Sequence, residues 1–371
     1  MIYLDYSATT PVNKEVLDSF NKATIEYVGN PNSLHSEGIK ANNLIKECTN
    51  TINKLLNIED YDVIYTSGAS EANNTVIKGI MKYENRGKHI ISTELEHSSV
   101  IGPLNYLSSI GYEVEFVNLD DNGLVDLDDL ENKLRDDTVL VSIASVNSEV
   151  GISQNIENIR KIIDKYPKCL FHSDITQSIG KEHININLLD FATMSAQKIY
   201  GMKGVGLLLK KKKLSIIPLI HGGKSTTIYR SGTPATPLIV SLTKALKIAI
   251  ENIDENISKV KEINKYLKDK LSKLDVVINS KDIAIYHVVN FSVKNIKPEV
   301  ILTALSDEDI YISTQTACSK SEYSKAVYAL TKDKELSQHS LRVSLSHLTT
   351  KEEIDKFIES LERIINNLKW K

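Results

Sequence analysis

Two side chains that could do chemistry stand at the ends of apolar runs. Lys198 lies in SAQKIYG, just past DFATMSA, and Asp174 closes KCLFHSD. Both runs read as buried strands, so the lysine and the acid fall at the carboxyl ends of neighbouring strands. Such a pair suits pyridoxal 5′-phosphate (PLP). A lysine amine forms a Schiff base with the aldehyde, and an acid beside the pyridine nitrogen keeps it protonated, which makes the ring an electron sink.

Other groups gather at predicted strand ends. VIYTSGASEANN reads as strand, turn and helix, so Ser67, Gly68, Ala69 and Ser70 would offer backbone N–H groups and a hydroxyl to a phosphate. His97 follows the strand KHIIST, where a flat imidazole could cover a cofactor ring and move protons. Gln177 lies three residues beyond Asp174 and could donate to a phenolate oxygen; Ser195 lies three residues before Lys198 and could bind phosphate. Asn147 follows VLVSIA, Thr233 sits in RSGTPATP, and Arg342 in LRVSLS provides a fork for a substrate carboxylate. Each residue alone is more often structural; their common placement makes the case.

The elements that must hold these groups follow from the patterning. Seven strand-like runs, DVIYT, KHIIST, YEVEFVNL, DTVLVSIA, KCLFHSD, DFATMSA and GVGLLLK, alternate with helical stretches from about residue 60 to about 210. That alternation predicts an α/β sheet, mostly parallel and covered on both faces. Helical periodicity dominates from about 236 to 275. It is followed by IAIYHVVNFSV, a helix starting near Pro298, a polar stretch around Cys318 and the strand LRVSLS. A capping box, Thr350 with Glu353, opens the last helix, whose apolar face is Ile354, Phe357, Ile358, Leu361, Ile364, Ile365 and Leu368. A second, smaller α+β domain is expected.

The chain has 371 residues, 41% hydrophobic and 25% charged, with net charge −3. These values are those of a globular protein and point away from nucleic acid and membrane surfaces. No apolar run reaches membrane-spanning length, and MIYLDYSATTP lacks the pattern of a signal peptide, so a cytoplasmic location is expected. The basic run Lys210–Lys213 reads as a solvated turn. The three cysteines do not form a disulfide framework. Cys48 shares a helical stripe with Leu44, Ile45, Ile52 and Leu55, and Cys169 opens a buried strand. Cys318 lies in the polar, non-periodic STQTACSKSEYSK, the setting of an incidental or a reactive thiol.

Taken in order, YLDYSATTP, GNPNSLHSEG, TSGASEANN, TELEHSSV, VNSEVG, HSDITQSIGK, SAQKIYGMKGVG, RSGTP, TACS and LRVSLS resemble the cysteine desulfurases, PLP enzymes of the class V aminotransferase group. The resemblance covers nearly the whole chain. It implies a homodimer of the fold-type I PLP-transferase architecture. A large domain (13–255) would carry a mostly parallel seven-stranded sheet. The smaller α+β domain (1–12 and 256–371) would carry the nucleophile loop. It also implies roles. Lys198 would hold PLP, Asp174 the pyridine nitrogen and Gln177 the ring oxygen, while His97 would stack on the ring and act in acid–base steps. Ala69, Ser70 and Ser195 would bind the phosphate, with Thr233 from the other subunit. Asn147 and Arg342, with Asn30 nearby, would hold the carboxylate of L-cysteine. Cys318 would take the sulfur as a persulfide and pass it to an acceptor protein for iron–sulfur assembly or tRNA thiolation. No metal, nucleic acid or membrane is implied.

The chain departs from the family at several points. Gln197 and Ala196 replace the usual histidine and glycine before the lysine; glutamine still donates to a phosphate but carries no charge, so weaker PLP binding is expected. Lys224, Ser225 and Thr226 follow the HGG segment in place of the usual residues, and STQTACS resembles a thiolation-dedicated subgroup. Two alternatives remain open: a related PLP lyase acting on selenocysteine or cysteine sulfinate, and a non-catalytic scaffold. The stretch 315–325 is expected to be mobile, since its cysteine must travel between cofactor and acceptor.

Overall fold

A computed structural model describes residues 1–314 and 322–369. A short strand, β1 (Ile2–Tyr3), leads into helices α1 (Lys14–Glu26) and α2 (Ser36–Leu56). The predicted strands then follow: β2 (Tyr61–Thr66), β3 (His89–Ser92), β4 (Glu113–Phe116), β5 (Thr138–Ser142), β6 (Leu170–Asp174), β7 (Phe191–Ser195) and β8 (Gly206–Lys211). Between them lie α3 (Ala69–Gly79), α4 (Ser98–Ser109), α5 (Leu127–Lys133) and α6 (Ile156–Ile163).

All seven expected runs join one sheet, in the order β2-β8-β7-β6-β5-β3-β4. β3 to β7 pair in parallel, while β8 runs antiparallel to both β7 and β2. The segment between Ser195 and Gly206 is too short for a helical crossover, so the chain turns back on itself. Strand alternation then feeds two cores. Leu207 and Leu209 face a layer built with Ile45, Ile52, Leu242 and Leu246, so α2 and α7 (Thr236–Glu251) cover that side. Leu208 faces Val76, Ile77, Val100 and Leu104, so α3 and α4 cover the other. With both faces covered, β5, β6 and β7 are buried along their whole length, polar positions such as His172, Ser173 and Thr193 included, whereas the edge strand β4 (EVEF) stays partly exposed.

The basic run is only half solvated. Lys210 is fully buried in β8, its Nζ 2.7 Å from Asp62 Oδ2 on β2 and 2.7 Å from Leu214 O. Lys211 pairs with Asp190 at 3.1 Å, and only Lys212 and Lys213 are exposed. Strand register, which places Asp62 opposite Lys210, decides the difference.

Beyond α7 come α8 (Ile253–Leu271), β9 (Val277–Ile278), β10 (Val288–Ser292), α9 (Pro298–Ser306) and β11 (Ile310–Tyr311). The chain closes with α10 (Lys325–Thr331), α11 (Lys334–Gln338), β12 (Ser340–Ser344) and α12 (Lys351–Lys369). β10 pairs antiparallel with β12 and β9. A separate apolar cluster forms from Val260, Leu267, Phe291, Ile301, Val343, Phe357 and Leu361. Leu4 belongs to it, and β1 pairs in parallel with β11, so the N-terminal residues pack with the C-terminal part. The capping box holds: Thr350 N donates to Glu353 Oε2 at 3.0 Å and Glu353 N to Thr350 Oγ1 at 3.2 Å. Among the described residues, no helix is long and apolar enough to cross a membrane.

Candidate active site

The carboxyl ends of β6 and β7, the β2–α3 turn, the loop after β5 and Arg342 of β12 surround a cavity of about 380 Å³. Lys198, Asp174, Gln177, His97, Ala69, Ser70, Ser195, Gln197, Asn147 and Arg342 all line it. Parallel strands bring residues far apart in sequence to one edge, and that edge is where open α/β sheets bind ligands.

One wall is a chain of directed hydrogen bonds. Asp174 Oδ1 accepts from Thr176 N at 3.0 Å and Oδ2 from Asn73 Nδ2 at 2.8 Å. Asn73 Nδ2 also donates to Ser99 Oγ at 2.9 Å, while Thr193 Oγ1 donates to Asn73 Oδ1. Ser99 Oγ lies 2.7 Å from His97 Nδ1, and Ser99 N donates to that nitrogen at 3.1 Å. A backbone N–H can only donate, so Nδ1 is an acceptor and the neutral ring carries its proton on Nε2. Burial lowers the His97 pKa, and the Lys198 charge adds to this against the opposing pull of Asp174, which favours the neutral ring. Asn73 and Ser99 carry no role in the sequence reading. The signal was available for Asn73: it lies on the same buried face of α3 as Ala72, Val76 and Ile77, where an amide must find partners.

His97 is also the N-cap of α4. Its neighbour Glu96 is buried and accepts from Ala144 N at 2.9 Å and Thr93 Oγ1 at 2.9 Å. Burial pushes its carboxyl up to about 8 against the pull of these donors. Glu96 thereby ties the His97 loop to the end of β5.

The anion end is narrower than expected. Ser67 N is already given to Glu71 Oε2 at 2.8 Å, and Gly68 N points to Thr66 Oγ1 at 3.4 Å. The first-turn N–H groups of Ala69 and Ser70, at the start of an 11-residue helix, have no such side-chain acceptor among the described residues and can meet an anion. Gly68 has φ +153°, which a side chain rarely allows. Glu71 would repel an anion, but Arg230 Nε donates to its Oε1 at 3.0 Å. Burial opposes the charge of Glu71, yet Arg230 and Ser67 N–H together hold its pKa below the usual range.

Lys198 Nζ donates to Ser7 O at 2.6 Å and to Ala8 O. Ser7 O also accepts from Gln177 Nε2 at 3.0 Å. The segment YLDYSATTP thus seats the lysine with backbone carbonyls. Two residues past the lysine, Tyr200 adopts φ +62°, costly for a residue with a side chain, and Thr10 Oγ1 accepts its N–H at 2.8 Å.

Arg342 is almost fully buried; its Nη2 donates to Asp5 Oδ1 at 2.8 Å and Nη1 to Ser148 O at 3.0 Å. Among the described residues its buried Nε has no hydrogen-bond partner, nor has Thr176 Oγ1, also on the cavity wall. Asn147 Oδ1 accepts from Glu149 N and Val150 N, which turns its amide group toward Leu95 O at 3.1 Å.

Two expected residues stand apart from the cavity. Asn30 is exposed and lies off the cavity, its Oδ1 capping Asn32 N at 3.0 Å. Thr233 lines a separate cavity with Ser225, Thr226 and Arg230. Cys318 lies outside the described residues. The far end of the expected mobile stretch is well packed: Ser324 is buried, caps α10 and donates to Glu149 Oε2 at 2.6 Å.

The donor set fits PLP. A helix N-terminus and Ser195 suit its phosphate, an ionisable carboxylate its pyridine nitrogen, and an amine its aldehyde. Thr176 Oγ1 and Arg342 Nε are buried polar atoms with no partner among the described residues, suited to a ligand.

Residues 2–357 match the family profile described as Aminotransferase class-V. The chain is 37% identical over 376 residues to the cysteine desulfurase IscS of Dictyoglomus turgidum, spanning 99% of this chain and 95% of that one. It superposes on a solved NifS-like protein with a TM-score of 0.92 at 34% identity, covering 98% of this chain and 99% of the other. A structure of SspA in complex with cysteine matches with a TM-score of 0.82 at 30% identity, covering 94% of this chain and 100% of that one.

Proposed function

This chain belongs to the PLP-dependent aminotransferase class-V family, among its cysteine desulfurases, and on that premise we propose that it converts L-cysteine to L-alanine and loads the released sulfur onto Cys318 as a persulfide. One observation carries the reading. Lys198, Asp174, His97 and Arg342 meet in a single cavity whose remaining donors suit a phosphate.

Bound PLP supplies an electron sink that lets the Cα–H and C–S bonds of the amino acid break. Lys198 would hold the cofactor through its amine, which is also the base placed to move the Cα proton; the Ser7 and Ala8 carbonyls seat that amine. Asp174, held by Asn73 and Thr176 N, keeps the pyridine nitrogen protonated. His97 would lie over the ring and offer its Nε2–H. Ala69, Ser70 and Ser195 hold the phosphate, and the Gln197 side chain adds an uncharged donor. Asn147 and Arg342 hold the substrate carboxylate. Cys318 attacks the substrate sulfur. Cysteine and one thiol yield alanine and one persulfide, so no outside oxidant or reductant is needed.

The relatives' names do not favour the selenocysteine, cysteine sulfinate or scaffold alternatives. Thr233, outside the cavity of one chain, fits a homodimer in which each subunit completes the other's site. Residues 13–255 and 1–12 with 256–371 are taken as two units, supported by the separate clusters around the large sheet and around Phe291 and Phe357. The sulfur acceptor is a protein feeding iron–sulfur assembly or tRNA thiolation, in the cytoplasm.

The test is alanine release from L-cysteine by PLP-loaded protein with a thiol reductant, against Cys318→Ala. Alanine from the parent and not from the variant supports the reading; release by both removes Cys318 from it, and release by neither overturns it.

A further inference from the structure

We propose that Lys181 is a positioning residue that fixes which end of the Gln177 amide faces the cofactor. The inference rests on the reading above, in which Gln177 donates to the ring oxygen of PLP.

Lys181 lies behind the site. It lines a small cavity of about 40 Å³ with Tyr6, Tyr200, His287 and His347, and it does not line the large cavity. Its Nζ donates to Gln177 Oε1 at 2.6 Å. Among the described residues it makes no ion pair with a carboxylate, and burial, with the nearby charges of Lys198 and Arg342, pulls its pKa down to about 7. A lysine held this way costs folding free energy, so its place needs an explanation beyond packing.

The explanation lies in the direction of the bonds. Gln177 is buried and has two ends that differ only in chemistry: Oε1 accepts and Nε2 donates. Lys181 Nζ keeps N–H donors whether charged or neutral and, as the ammonium, has no lone pair, so it pairs with Oε1, which accepts its N–H at 2.6 Å. A carbonyl has no proton, so the end facing Ser7 O must be Nε2, at 3.0 Å. Flipping the amide would set donor against donor at Lys181 and acceptor against acceptor at Ser7. Nε2 has a second hydrogen, and Gln177 lines the large cavity. Lys181 therefore holds the amide with its donor end toward that cavity. The line Lys198 Nζ, Ser7 O, Gln177, Lys181 Nζ joins the two lysines through one carbonyl and one amide.

The experiment compares four PLP-loaded proteins: the parent, Gln177→Leu, Lys181→Met and the double variant. The readout is the pH midpoint at which the visible absorption band of bound PLP changes, with the PLP dissociation constant beside it. A hydrogen bond to the ring oxygen lowers that midpoint. We expect Gln177→Leu and Lys181→Met each to raise it by about half a unit to one unit, and the double variant to go no further than Gln177→Leu. A Lys181→Gln variant, which keeps an N–H donor but no charge, should stay near the parent. If the two single shifts add in full, if only Gln177→Leu shifts, or if Lys181→Gln shifts as far as Lys181→Met, Lys181 does not act through the amide and the inference fails. If Gln177→Leu moves nothing, the assignment of Gln177 to the cofactor fails first and takes the inference with it. Should Lys181→Met not fold, Lys181→Gln measured against Gln177→Leu decides alone: a midpoint at the parent value supports the inference, and one at the Gln177→Leu value overturns it.

Discussion

Asn73 Nδ2 donates to Asp174 Oδ2 at 2.8 Å, and the same amide nitrogen donates to Ser99 Oγ at 2.9 Å. One side chain of α3 thus ties the acid at the end of β6 to the histidine that caps α4. Replacing Asn73 by Ala leaves Asp174 with one donor fewer and the Thr193 hydroxyl without its acceptor. The expected outcome is a PLP dissociation constant raised about tenfold, corresponding to about 1–2 kcal/mol for a lost bond to a charged group. Asn73→Asp should be worse, because it sets a second carboxylate against Asp174. Absorbance titration with PLP measures both; equal affinity in the two variants would contradict the account.

Ser99 directs its hydroxyl to His97 Nδ1, 2.7 Å away. Ser99→Ala removes that donor and keeps the backbone N–H. The neutral ring is then favoured less, so the His97 pKa rises toward the ordinary histidine value. The acid limb of the pH–rate profile should move up by about half a unit, with kcat reduced less than about tenfold. An unmoved limb would show that His97 does not govern it.

Asp5 holds the guanidinium of Arg342. Asp5→Ala leaves a buried cation without its counter-charge and free to turn. The KM for L-cysteine should rise about fivefold to tenfold while kcat changes little, the pattern of lost ground-state binding. Steady-state kinetics separate the two constants, and a fall confined to kcat would place Asp5 elsewhere in the mechanism.

Glu96 carries a pH dependence whose sign follows from its burial. Its carboxyl is raised to about 8 in the fold, against about 4.3 in an unfolded chain. Between those values the native state binds the extra proton, so this group's contribution to stability falls as pH rises from about 5 to about 8. Glu96→Gln cannot ionise. Its unfolding free energy should lose about 1–3 kcal/mol less than the parent's over that interval. Urea melts at both pH values check this, and equal losses would mean that Glu96 ionises in the fold at little cost.

Much of this was local and therefore legible. Each strand-like run needed only its own apolar composition, and all seven entered the sheet. The Thr350–Glu353 box needed three residues' separation, and it formed. Lys198 and Asp174 could be placed because parallel strands set their carboxyl ends at one edge.

What the linear pattern could not express is pairing across the chain. Asn73 meets Asp174 across 101 residues and Arg342 meets Asp5 across 337. Ser7 serves Lys198 and Gln177 through its backbone carbonyl, which no side-chain pattern reports. Lys210 read as solvent-facing until register set Asp62 beside it, and Ser67 lost its N–H to Glu71 within one turn. The sequence by itself determined the seven sheet strands and the final helix, which depend on residue type and short-range spacing, and its ordered motifs carried the resemblance to the family. Tertiary structure alone decided which polar groups are oriented, and by what, because a buried donor or acceptor takes its direction from whichever partner the packed chain brings within about 3 Å.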